Sequence, residues 1–113
     1  NLTITMLAEE TKVYIPFNMQ AIRAQLTAAT SASGQAIIVD INQYNNQLAA
    51  GTSMFTAQAD QPQIPSAFST GSATTFTAIP TFYAGSYVGI DIDQVGNTVA
   101  GSNLTVTLIA RAS

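Results

Sequence analysis

The chain has 113 residues, of which only three are basic and six acidic, giving a net charge of −3, and it contains neither cysteine nor histidine. That length supports one domain around one core, taken here as residues 1–113. The missing residue types exclude disulfide frameworks, thiolate metal sites and the Ser-His or Cys-His nucleophile pair.

In chain order, LTITML at 2–7 alternates Leu2, Ile4 and Met6 with Thr3, Thr5 and Leu7, the period-2 pattern of a half-buried strand. VYIPF at 13–17 follows, and Pro16, which has no N–H for a ladder, marks it as an edge or bulged strand. QAIRAQLTA at 20–28 puts Ile22, Ala24, Leu26 and Ala28 inward and Arg23, Gln25 and Thr27 outward. Its good helix formers make a helical turn the competing reading, but the alternation favours a strand. QAIIVDINQ at 35–43 places Ile37, Val39 and Ile41 on one face and Ile38, Asp40 and Asn42 on the other, before the turn residues of YNNQLAAGT.

The middle reads as a strand at 52–57 (TSMFTA), a Pro-containing loop without helix at 58–72, and a strand at 74–79 (TTFTAI). The last third is clearest. Val88, Ile90 and Ile92 alternate with Tyr87, Gly89, Asp91 and Asp93, and Leu104, Val106, Leu108 and Ala110 alternate with Thr105, Thr107, Ile109 and Arg111. The Gly and Asn residues between the two runs read as the reversal of a long hairpin. About eight strands of this kind make an all-β chain, an antiparallel β-sandwich.

Composition narrows function further. Three scattered basic residues, Lys12, Arg23 and Arg111, do not neutralise a phosphate backbone, so no nucleic-acid partner is expected. The longest apolar run, AIIV at 36–39, is far shorter than a membrane span, so no membrane insertion is expected. No catalytic residue, metal site or cofactor is expected, and the chain is read as a non-enzyme. It opens on Asn1 rather than Met, the expectation being a processed or excised product.

Two groups of residues are candidates for binding. Tyr44, Asn45 and Asn46 fall in an Asn/Gln-rich turn, and Tyr87 shares a strand face with Asp91 and Asp93, which together suit stacking and hydrogen bonding to a sugar. Asp91 and Asp93 read either as a solvated acidic face or as two oxygen ligands for a hard cation, which needs several more. For assembly, Leu7, Ile38 and Ile109 are apolar residues on nominally wet faces, and Leu2 and Ile4 begin the first strand.

NLTITMLA at 1–8 and NLTVTLIA at 103–110 agree at five of eight positions, with apolar replacements at the other three. The repeat reads as convergence on a good strand pattern, or as a terminal strand able to take an equivalent slot in a neighbouring subunit. Both NLT triplets fit the glycosylation acceptor pattern and are read as strand starts.

Taken together, Ile37–Asn42, Thr74–Ile79, Ala84–Asp93 and the closing Leu104–Ile109 resemble the small jelly-roll domain of tailed-bacteriophage virion proteins, over nearly the whole chain. The resemblance implies a virion-surface structural protein. It implies a homo-oligomer, usually a trimer, associated with other virion proteins as a tail fibre or receptor-binding module touching host surface glycan, or as a capsid decoration (cement) protein. YNNQ in place of a tighter Asn-Gly turn, and the Pro-rich crossing at 58–72, depart from the usual form in loops that would shape a tip or contact. A secreted subunit that polymerises by N-terminal strand exchange is the alternative suggested by the repeat.

Overall fold

The computed structural model describes residues 2–7, 12–28, 33–46, 50–78, 81–95 and 104–113. Ten strands occur among them: β1 (Leu2–Leu7), β2 (Val13–Tyr14), β3 (Met19–Thr27), β4 (Ile37–Tyr44), β5 (Thr52–Ser53), β6 (Gln63–Ile64), β7 (Thr70–Ala73), β8 (Thr81–Phe82), β9 (Tyr87–Gln94) and β10 (Thr105–Ala112). The number exceeds the eight expected because four of them are only two residues long.

The strands form two five-stranded antiparallel sheets. The first runs β1-β10-β3-β7, with β8 also on β3; the second runs β2-β9-β4-β5, with β6 also on β4. The first four strands therefore alternate between sheets, and the last two slide between earlier ones, β10 between β1 and β3 and β9 between β2 and β4. This is the order of a double-sheet jelly roll.

The expected hairpin of β9 with β10 is overturned by this order, since the two lie in different sheets. Their matching alternation reflects a shared core facing both sheets, and period-2 patterning carries no information about which strand lies alongside. Residues 96–103, read as its turn, lie outside the described residues.

The alternating positions meet in the core. Val106, Leu108 and Ala110 of β10, Val39 and Ile41 of β4, Val88 of β9 and Phe82 of β8 are fully buried, each large side chain contributing roughly 1.5–3 kcal/mol. In β3 the expected inward Ile22 is displaced. Ile109 pairs with Arg23 but Ala110 with Ala21, so Ile22 is the extra residue of a bulge. Met19 and Ala21 before it, and Ala24 and Leu26 after it, take the inward positions, while Ile22 is half-buried. β2 lies at the end of its sheet, as Pro16 led one to expect.

The middle of the chain differs most from expectation. The strand expected at 52–57 ends after Ser53, where Phe55 N–H donates to Ser53 Oγ at 3.1 Å and Met54 N–H to the Ile41 carbonyl at 2.8 Å, turning both side chains into the core. The strand expected at 74–79 is replaced by β7, which starts earlier and stops at Ala73. Residues 74–78 instead pack on 54–56: Phe76 stacks on Phe55 at 5.4 Å between centroids, and Thr56 N–H donates to Thr77 Oγ1 at 2.7 Å. The expected loop at 58–72 contains a single 3-10 turn, Gln58–Asp60, as well as β6 and the first three residues of β7.

β6 and β7 belong to different sheets yet meet closely at Gly71, where an added Cβ would lie 1.7 Å from the Gln63 carbonyl oxygen. Gly71→Ala is therefore expected to destabilise the fold by at least about 3 kcal/mol in denaturant unfolding. Ser72→Ala, which truncates an exposed neighbour, should stay within about 0.5 kcal/mol. Equal midpoints for the two variants would contradict the close approach.

Candidate functional site

The face of β4 that points away from the core carries Ile38, Asp40, Asn42 and Tyr44, and strand register aligns each with outward residues of its neighbours. Tyr44 lies opposite Tyr87, which lies opposite Tyr14, so three strands place tyrosines in one row. In the next row Asn42 sits between Gly89 and Ser53, and in the third Asp40 faces Asp91.

Tyr44 forms the floor rather than an exposed platform. It is the last residue of β4, not a turn residue, and is only 8% exposed. Two glycines make room for its ring: a Cβ at Gly51 would lie 2.6 Å from it, and one at Gly89 3.1 Å. The Lys12 ammonium sits 4.0 Å from the ring centroid, a cation–π contact. Burial, then the charges of Asp91 and Asp40, push the Tyr44 hydroxyl above its usual pKa. The accessible aromatic surface is Tyr14, 54% exposed, and half-buried Tyr87, which meet edge-on at 5.4 Å and 64°.

The carboxylates lie further along the same face, beyond the row of Asn42 and Gly89. Two like charges opposite one another on adjacent strands are unfavourable, and each is compensated separately. Asn42 Nδ2 donates to Asp91 Oδ2 at 3.0 Å, and Ser53 Oγ donates to Asp40 Oδ1 at 2.6 Å. Asp93 departs from the simple alternation expected of it. Register passes from Val39 opposite Ile92 to Ile38 opposite Gln94, leaving Asp93 as the extra residue of a bulge. Its charge still acts on Asp40. Among the described residues no group of three or more acidic side chains is placed to hold a metal ion.

Of the expected binding residues, Tyr44, Tyr87 and Asp91 are brought together and Asp93 lies next to them. Asn45 instead lines a separate cleft of about 310 Å³ with Gln43, Thr52 and Tyr83, and Asn46 is exposed just beyond β4. Sequence reasoning missed Lys12, Tyr14, Asp40, Asn42 and Ser53. Asp40 and Asn42 carried a signal in their alternation with Val39 and Ile41, whereas Lys12 and Tyr14 reach the site only through the pairing of β2 with β9.

The expected assembly residues scatter. Ile38 is already buried within the chain, covered where β6 and β9 flank it. Ile109 is half-buried between Thr3 and Arg23, Ile4 is half-buried against the core, and Leu2 is exposed. The Leu7 side chain lies outside the description.

Comparisons with protein-family models, with curated proteins and with solved structures return no match to this chain.

The acidic row has a measurable signature. Burial raises the Asp40 carboxyl above its ordinary 3.8; the Ser53 hydrogen bond opposes this, and the charges of Asp93 and Asp91 add to it. The folded state then holds this proton more tightly than the unfolded chain, so Asp40 costs stability as pH rises from about 3.8 through its elevated folded value. Asp40→Asn is expected to flatten that decline in urea unfolding and to be at least as stable as wild type at neutral pH. An unchanged pH dependence would contradict this.

Proposed function

We propose that this chain is a non-catalytic module on a virion surface, of the kind tailed phages carry on fibres and receptor-binding proteins, and that the outer face of its second sheet holds a neutral host glycan. The observation that supports this reading is that the Tyr14 and Tyr87 rings share one outer sheet face with the exposed Asp91 carboxylate, which Asn42 holds by a hydrogen bond.

A pyranose ring has an apolar face of C–H groups and a rim of hydroxyls. Exposed tyrosine surface takes the first, and the exposed Asp91 carboxylate, steadied by the buried Asn42 amide, accepts from the second. The surface is shallow, and each copy contributes a small contact. Display in several copies converts such weak contacts into useful avidity without any further interaction. The resemblance of Ala84–Asp93 and Leu104–Ile109 to phage virion jelly rolls supports the same reading.

The test is a glycan array probed with the chain displayed multivalently on beads. Wild type is expected to retain a subset of neutral oligosaccharides. Tyr14→Ala and Tyr87→Ala should each weaken retention by about tenfold, equivalent to about 1.4 kcal/mol, with the cooperative unfolding transition preserved. Retention unaffected by either substitution would overturn this site. No retention, together with attachment to capsids stripped of their surface proteins, would replace the reading with that of a decoration protein.

A further inference from the structure

We infer that β1 is an association edge through which two copies of this chain pair antiparallel about a two-fold axis centred on Thr5.

The first observation is what β1 lacks. A strand at the end of a sheet presents unpaired N–H and C=O groups, and such edges are ordinarily protected by shortness, charge, proline or a bulge. The other outer strands of this fold have such protection. β2, β5, β6 and β8 are two residues long, Pro16 closely follows β2, and β7 contains Gly71, pressed against the Gln63 carbonyl. β1 has six residues, LTITML, with no charge, proline, glycine or register shift, and among the described residues it pairs with β10 alone.

The second observation identifies the occupant. β1 already binds one partner, β10, with Thr5 opposite Thr107, Ile4 opposite Leu108 and Met6 opposite Val106. In the repeat NLTITMLA and NLTVTLIA, Thr5 corresponds to Thr107, Ile4 to Val106, Met6 to Leu108 and Leu7 to Ile109. A second β1, the look-alike of β10, is placed on the free edge in the same residue alignment that β10 takes on the other edge. Thr5 then faces the partner's Thr5, Ile4 faces the partner's Met6, and Thr3 faces the partner's Leu7. The register is its own inverse, which is what an isologous two-fold contact requires.

The faces also agree. Ile4 and Met6 point toward the core side, as Val106 and Leu108 do, so the core-side row continues across the axis. On the solvent side the Thr107–Thr5 row extends into the partner's Thr5 and Thr107, and cross-strand threonine pairs are favourable. The first sheets of the two copies thereby become one continuous sheet. This inference stands on β1 and the repeat, independently of the glycan reading.

Thr5 is exposed, so a charge there is compatible with the isolated fold but meets its own copy across the axis. Sedimentation velocity on the wild type, Thr5→Lys, Thr5→Glu and an equimolar mixture of the two variants tests the inference, with far-UV circular dichroism reporting the fold of each. The expected result is a wild-type dimer, two monomeric variants, and recovery of the dimer in the mixture, where opposite charges face each other. The inference is overturned by a wild type that remains monomeric, by a trimer or open polymer that Thr5→Lys leaves unchanged, or by folded variants whose mixture recovers nothing.

Discussion

The fold depends on the two-sided pairing of the last two long strands. β10 is hydrogen-bonded to β1 on one side and β3 on the other, and β9 to β2 and β4. Each ladder joins segments far apart in sequence: Thr5 to Thr107, Ala24 to Leu108, Ile41 to Ile90. Neither sheet is complete until the C-terminal third has inserted. Such non-local topology places folding in the slow range, milliseconds to seconds. The candidate site follows from the same insertion, because β9 brings Tyr87 and Asp91 between Tyr14 on β2 and the Tyr44 and Asp40 side chains on β4.

Much of the sandwich was legible from alternation alone. β1 was bounded correctly, and β4, β9 and β10 nearly so, because each has one face that must be dry. What alternation does not contain is adjacency, and the expected hairpin failed for that reason. Local departures were equally hidden. The bulges at Ile22 and Asp93 each add one residue to one side of a ladder, which only the partner's register reveals. The strand expected over 52–57 was lost to a hydrogen bond from Phe55 N–H to the Ser53 hydroxyl, two residues away. For the site, Tyr87 and Asp91 were readable because they oppose core residues on one strand. Tyr44 looked like a turn residue, and only the approach of Gly51 and Gly89 turns it into the floor of the face.

The low charge acquires a structural meaning in this arrangement. With three basic and six acidic residues in the chain, its wet surfaces are mainly hydroxyls and amides. The outer side of the first sheet presents Thr3, Thr5, Thr27, Thr70 and Ser72. Three of the chain's aspartates, by contrast, are concentrated on or beside the outer face of the second sheet, next to its tyrosines. The two sheets thus present unlike outer faces. Pairing of copies through β1 would extend the first sheet while leaving the outer face of the second facing away, available for a ligand.

The central functional claim is that this second face is where a ligand is held. It is tested most directly by backbone NMR on the isotopically labelled chain, titrated with the neutral oligosaccharide that the displayed chain retains best. The account predicts shifts confined to amides of β2, β9 and β4 around Tyr14, Gly89, Asp91 and Asn42. Shifts concentrated at the cleft of Asn45 and Tyr83, or on the outer side of the first sheet, would contradict it.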